Sequence, residues 1–164
     1  MKKVLCIIVN HNHGRLVKKT IRSLVSLPDL TAFDILLINN VPDLELENWI
    51  IDLNYDIIVE KNEKVCGFAT NNNNGIKKYA SPYKYVCLIN PDIECYPMLI
   101  DELVLFMDNN ENVGISGPCL LNPDESIQYS CRAFATPLII LGRMLRLDIL
   151  FKNLFKKYLM LNFN

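Results

Sequence analysis

A chain of 164 residues with 51% apolar content suits one compact domain that buries a core without disulfides or a structural metal. Seventeen basic residues against eighteen acidic ones leave a net charge of −1, which excludes electrostatic wrapping of a nucleic-acid backbone, so no nucleic-acid partner is expected. None of the six cysteines forms a Cys-x-x-Cys pair, and His11 and His13 stand far from them, so zinc-site spacing is absent. Cys6 and Cys87 lie inside apolar runs and read as reduced core thiols of a cytoplasmic protein.

The first apolar run, residues 4–9, is shorter than the core of a signal peptide and has no small-residue cleavage site after it. It is predicted to be a buried strand. A helix follows from Gly14 to about Leu27, with Leu16, Thr20, Ile21, Leu24 and Leu27 at helical spacing and Lys18, Lys19 and Arg22 opposite; Pro28 stops it. Residues 33–38 form the second predicted strand and residues 44–53 a short helix, whose Trp49 is expected to pack on the sheet. A third strand over 56–60, a helix over 69–79, a fourth strand over 85–89, a helix over 97–109 and a short fifth strand over 113–116 complete the alternation. Uninterrupted apolar strands alternating with helices imply a parallel sheet covered on both faces. Ligands bind such sheets at the carboxyl ends of the strands. The segments there, 10–14, 39–43, 61–67 and 90–94, are rich in Asn, Asp, His and Gly.

The sharpest local feature is Leu88-Ile89-Asn90-Pro91-Asp92-Ile93-Glu94. A buried strand delivers a carboxylate directly after a proline that fixes the turn. Mg²⁺ or Mn²⁺ takes oxygen ligands, often one or two carboxylates together with phosphate oxygens. Asp92 suits that, with Asn90 or Glu94 on the same side by period-two alternation. Asn-Pro-Asp is also common turn chemistry, so spacing alone leaves a plain turn and a metal site both open.

Taken together, five blocks carry a resemblance. Val9-Asn10-His11-Asn12 is similar to the Val-Asn-Tyr-Asn opening of many GT-A glycosyltransferases, and Ile38-Asn39-Asn40 to their Val-Asp-Asn. Residues 66–76 resemble the Leu-Gly-Phe-Ala-x-x-Asn-Asn-x-Gly-Ile segment of the rhamnosyltransferase-like branch of family 2, and Asn90-Pro91-Asp92 resembles that branch's form of the Asp-x-Asp metal motif. Gly114-Ile115-Ser116-Gly117-Pro118, then Leu121-Asn122-Pro123-Asp124 and Gln128-Tyr129-Ser130-Cys131-Arg132, look like its continuation. The likeness runs in register over residues 3–137, which makes weak blocks specific as a set.

The resemblance implies an α/β, GT-A (nucleotide-diphospho-sugar transferase) fold, a mostly parallel sheet flanked by helices, with its second half incomplete. It implies an inverting, metal-dependent transferase. The donor would be a pyrimidine nucleoside-diphosphate sugar, with dTDP-rhamnose suggested by the branch. The acceptor would be a glycan or lipid-linked glycan, on the way to an envelope or capsular polysaccharide. Position by position, Val9 and His11 would flank the nucleobase and Asn39 would stand where an acid bonds the base. Gly67, Asn72 and Asn73 would approach the nucleotide. Asp92 would hold the Mg²⁺ or Mn²⁺, with Asn90 as an amide ligand or a ribose contact. No residue after Arg132 matches a general base, since the only acid there, Asp148, lies in an apolar helical pattern; Asp124 and Glu125, before it, lie in a turn-like segment. The chain therefore reads as truncated, and a non-catalytic nucleotide-sugar-binding module that needs a partner stands as the alternative. Arg132 suits either a phosphate or a surface ion pair.

From Pro137 on, Met144, Leu147, Phe151, Leu154, Phe155, Tyr158 and Leu161 fall on one helical face, with Arg146, Lys152, Lys156 and Lys157 around the rest and Arg143 near its edge. This predicts a basic amphipathic helix that either rests peripherally on the inner face of the cell membrane or covers the domain. Arg143, Arg146 and Asp148 exclude a membrane span. The expected organisation is a nucleotide-sugar-binding part over 1–136 and a helical tail over 137–164.

Overall fold

The computed structural model describes residues 3–150 and 152–160. It divides into two compact units, one ending at Ser116 and one starting at Gly117.

The first unit is a sheet of four parallel strands in the order β3-β2-β1-β4. The strands are β1 (Val4–Asn10), β2 (Phe33–Asn39), β3 (Ile57–Lys61) and β4 (Tyr85–Ile89). They alternate with α1 (Gly14–Val25), α2 (Leu44–Ile51), α3 (Phe68–Tyr79) and α4 (Leu99–Asn109). The two central strands carry unbroken apolar runs because both of their faces are covered. Val4, Cys6 and Ile8 of β1 pack with Val17, Ile21 and Leu24 of α1, Leu46 and Ile50 of α2, and Ile100 and Val104 of α4. Leu5, Ile7 and Val9 face the other way, toward Ile76 and Tyr79 of α3. This is the parallel, helix-flanked sheet that alternation in the sequence predicts.

One detail of α1 differs from that reading: the buried stripe is Val17, Thr20, Ile21 and Leu24, while Leu16 remains exposed. Trp49 of α2 packs, half-buried, against the core on the sheet as expected, and the Arg22 guanidinium of α1 stacks 5.2 Å from its ring centroid. The expected fifth strand over 113–116 does not form. Val113 N–H closes a turn on the Asn110 carbonyl, Ile115 is 92% exposed, and no ladder among the described residues includes the segment. Glycines at 114 and 117 make so short a stretch entropically costly to hold extended without a partner.

Close approach of α3 to the sheet rests on Gly75. A Cβ there would lie 2.9 Å from Ile38 Cδ1 and 3.1 Å from Leu36 Cδ2, both inside the core. All six cysteines are free thiols; Cys6 is buried, and the hydrogen bond to Cys87 and burial together push its thiol up.

The second unit begins with an irregular stretch containing one tight turn. Leu121 and Ile127 form an antiparallel bridge across it, and Asp124 Oδ1 accepts from the Ser126 amide and hydroxyl. Arg132 folds back on the carbonyls of Tyr129 and Cys131. The expected boundary at 136 falls inside this unit, where Ala133 N–H donates to the Tyr158 carbonyl. The expected single tail helix is instead three: α5 (Pro137–Met144), α6 (Leu147–Leu150) and α7 (Lys152–Leu159). Arg146 takes a left-handed φ of 55°, which a continuous α-helix cannot accommodate. Phe155 is buried against Gly142, so the chain doubles back rather than presenting one long stripe. Phe151 and Leu161 lie outside the described residues, as do the side chains of Asp148, Lys152 and Leu154. No helix among the described residues is long and apolar enough to cross a membrane.

Gly75→Val should lower the unfolding free energy by about 2–3 kcal/mol, because added methyls would overpack the core from inside a helix. Urea denaturation checks this; an unchanged midpoint would show that α3 stands off the sheet.

Candidate functional site

All four strands point the same way, so their carboxyl ends and the loops that follow lie along one edge of the sheet. Asparagine side chains organise three of those four ends. Asn10 and Asn39 are register partners at the tips of β1 and β2. Asn10 Oδ1 accepts from the His13 amide at 2.9 Å and so fixes the start of α1. Its Nδ2 donates to Asn39 Oδ1 at 2.9 Å, and Asn39 Nδ2 donates to Glu47 Oε1 at 2.8 Å. Lys61 Nζ lies 2.7 Å from Glu47 Oε2. That contact, helped by the Asn39 amide, holds the Glu47 carboxyl below its usual range. Between β1 and α1, Asn12 adopts a left-handed φ of 62°, a conformation that asparagine tolerates better than most residues.

Asn40, one residue beyond β2, ties the next layer together. Its Oδ1 accepts from the Cys66 amide at 2.8 Å and from Asn62 Nδ2 at 2.8 Å. Its Nδ2 donates to the Cys66 carbonyl at 3.0 Å and lies 2.8 Å from His11 Nδ1. Asn71, in the first turn of α3, donates to the same Cys66 carbonyl at 3.1 Å and accepts from Asn62 at 2.5 Å. Both groups of the Asn40 side chain are fully used, and the residue is buried.

The fourth loop is anchored differently. Thr20 is buried on the face of α1 toward β4, and its hydroxyl lies 2.9 Å from the Pro91 carbonyl and 2.7 Å from the Ile93 carbonyl. Ser23, one helical turn on, accepts from the Cys95 amide at 3.0 Å. The backbone on either side of Asp92 is thus pinned to α1, while Asp92 itself is exposed.

The sequence-predicted site residues separate into two groups. Val9, Asn39 and Asn72 are buried, and Asn72 Nδ2 bonds the Phe68 carbonyl within its own helix. His11, Gly67, Asn73, Asn90 and Asp92 are exposed on the carboxyl-end loops and the start of α3. A Cβ placed on Gly67 meets nothing within 4 Å, so the space above it is open. Among the described residues no three His, Cys, Asp or Glu side chains converge tightly enough to hold a metal ion. The donor set of one exposed carboxylate beside one exposed amide fits a cation that arrives on phosphate oxygens, and does not fit a resident ion. A separate cleft of about 390 Å³ opens beside β3, lined by Ile50, Leu53, Tyr55 and Ile57 with Glu47 and Lys61, and it contains none of the predicted site residues.

Sequence reading missed Asn40, Asn62 and Asn71 as a connected set, and Thr20 and Ser23 as anchors. A polar Thr20 on the buried stripe of an amphipathic helix was the available signal for the anchors.

This architecture, a parallel sheet with its functional loops at the carboxyl edge, is that of a GT-A nucleotide-diphospho-sugar transferase domain. The chain belongs to Glycosyl transferase family 2, whose sequence profile matches residues 5–157. Among solved structures it is similar to residues 1–349 of S. aureus TarS, with 15% identity and a TM-score of 0.57 over 66% of this chain and 33% of that one. It is similar to the same fragment in complex with UDP-GlcNAc (16% identity, TM-score 0.56, 66% and 32% coverage) and in complex with UDP (15%, 0.56, 66% and 33%). The chain spans about a third of the length of those structures. No curated protein matches it.

Thr20→Val should cost about 1 kcal/mol of stability and raise amide hydrogen exchange at Asp92 and Ile93, with Thr20→Ser restoring both. Unchanged exchange in Thr20→Val would show that the loop holds itself.

Proposed function

We propose that this chain is the nucleotide-sugar-binding part of an inverting, metal-dependent glycosyltransferase of family 2. The observation that carries this is the family match over residues 5–157 together with an exposed Asp92, pinned through its neighbours to α1, at the carboxyl end of β4. In this reading Asp92, with Asn90, would hold a Mg²⁺ or Mn²⁺ carried in on the diphosphate. Such a cation stabilises the negative charge that develops on a departing nucleoside diphosphate. His11 and Val9 would border the nucleobase, with Gly67 and Asn73 bordering the open space above α3. Asn39 and Asn72 would shape the floor beneath the ligand, since their amides are engaged by the protein. UDP and UDP-GlcNAc in the TarS complexes support a pyrimidine nucleotide sugar as donor. The rhamnosyltransferase-like motifs favour dTDP-rhamnose among such donors, and a cell-envelope or capsular glycan, free or lipid-linked, as acceptor.

Amides at positions 39 and 90 favour a second reading, in which the chain binds nucleotide sugar without transferring it. Titration calorimetry with UDP and dTDP, with and without Mn²⁺, separates the two when paired with a donor-hydrolysis assay. Metal-enhanced binding with turnover is expected; metal-enhanced binding without turnover would establish the module. Asp92→Ala should remove the metal-dependent part of the affinity, a loss of at least 10–100-fold on the order seen for groups supporting a metal, while leaving the melting temperature unchanged. Equal binding by the variant would sink the metal assignment.

We further propose a cytoplasmic location with peripheral contact at the inner face of the membrane. Five of the 17 basic residues but only one of the 18 acidic residues follow Pro137. Leu138, Leu141 and Met144 of α5 are exposed, as is Leu145 just past its end. Co-sedimentation should show binding to phosphatidylglycerol vesicles that weakens with salt, and little binding to phosphatidylcholine. Equal partitioning to both, or to neither, contradicts the proposal.

A further inference from the structure

His11 is an exposed ring just past the tip of β1, and Asn40 dictates how it can hydrogen-bond. The orientation of the Asn40 amide is set by backbone groups whose roles are fixed. The Cys66 N–H can only donate, so the atom 2.8 Å from it must be the Asn40 oxygen. The Cys66 carbonyl can only accept, so the atom 3.0 Å from it must be the Asn40 nitrogen. Asn71 is oriented by the same carbonyl, which leaves its oxygen facing Asn62 Nδ2, and Asn62 Nδ2 in turn meets the Asn40 oxygen. The amide directions therefore agree around the whole set.

With the Asn40 nitrogen so fixed, the group facing His11 Nδ1 at 2.8 Å is an N–H. Nδ1 must then accept, and the proton of the neutral ring belongs on Nε2. Nε2 sits across Cε1 from Nδ1, and no partner among the described residues takes it. We propose that Asn40 locks His11 in the Nε2–H form, so that His11 is a specificity-determining residue offering a hydrogen-bond donor to an oxygen acceptor on the nucleotide. This rests on the nucleotide-binding reading for its ligand, though the tautomer itself does not. A tyrosine hydroxyl at this position rotates and either donates or accepts. The locked imidazole only donates, which favours ligands that turn an oxygen lone pair toward β1 and rejects those that turn an N–H there.

The chain contains two histidines, so two-bond ¹H–¹⁵N correlation spectra of the ¹⁵N-labelled protein resolve them, with His13→Gln assigning the pair. At a pH where the ring is neutral, His11 should show an unprotonated Nδ1 and a protonated Nε2. A protonated Nδ1, or two averaged nitrogens, would overturn the lock whatever the ligand. Asn40→Asp removes both donors while keeping shape and should abolish the pattern; because it also releases the Cys66 carbonyl, the wild-type spectrum remains the deciding measurement. Uridine and UDP are then added separately. A shift of the Nε2–H resonance with uridine places the acceptor on the nucleoside, and a shift with UDP alone places it on the phosphates. Calorimetric binding of UDP with no shift from either would refute the donor role. Absence of binding of both UDP and dTDP in calorimetry would refute the nucleotide reading and the ligand half of the inference together, leaving the tautomer to the apo spectrum. His11→Phe keeps an aromatic face without the donor and should weaken UDP binding about tenfold, the size of one hydrogen bond. Unchanged affinity would also refute the donor role.

Discussion

A parallel strand loses its ladder partners where it ends, and the backbone just beyond must find other hydrogen bonds or be left loose. In this chain asparagine amides take over that work at three of the four strand ends. Asn10 and Asn39 continue the pairing of β1 and β2 through their side chains. Asn40 pairs with both backbone groups of Cys66 as a neighbouring strand would, binding the end of β2 to the loop after β3. The positions of His11 and Gly67 at the sheet edge follow from those bonds.

Amides are suited to this because each both donates and accepts, whereas an ionised carboxylate only accepts. A carboxylate at position 40 could accept from the Cys66 amide but could not donate to its carbonyl, and it would draw the His11 proton to Nδ1. One at position 39 could accept from Asn10 but would set a second negative charge against Glu47, which is already kept ionised by Lys61. At position 39 the departure from the acidic family pattern, which in the sequence looks like lost ligand chemistry, is in the fold a residue that completes a satisfied network. Such networks rigidify a site when every member is paired.

Much of the first unit was legible because its central strands are apolar on both faces, a pattern that only a covered parallel sheet explains. Val113, Gly114, Ile115 and Ser116 misled because apolar residues alone do not make a strand; a ladder partner does, and local sequence is silent about partners. The tail misled for a related reason. Its apolar spacing is consistent with one long helix, yet Gly142 and Phe155 pack on each other and the chain turns at Arg146 to allow it. At the site, Asp92 stood out because a proline and a preceding strand define its place within a few residues. The roles of Asn40, Asn62 and Asn71 depend on contacts between segments 9 to 29 residues apart, and nothing in their local sequence distinguishes them from ordinary polar loop residues.

The two anchoring systems share one element. The first turn of α1 is fixed by Asn10 through the His13 amide, and two turns on the same helix holds the Asp92 loop through Thr20 and Ser23. His13 and Thr20 are seven residues apart, which along an α-helix is about 10 Å. The separation between the loop after β1 and the loop after β4 is therefore held by the helical backbone of α1, together with the β1–β4 ladder, rather than by the loops themselves. A base-side group at His11 and a phosphate-side group at Asp92 can each sit on a short exposed loop and still keep their spacing. A slide of α1 along the sheet would move both ends at once, so a bound ligand that touches both loops has to resist, or follow, the motion of a single helix.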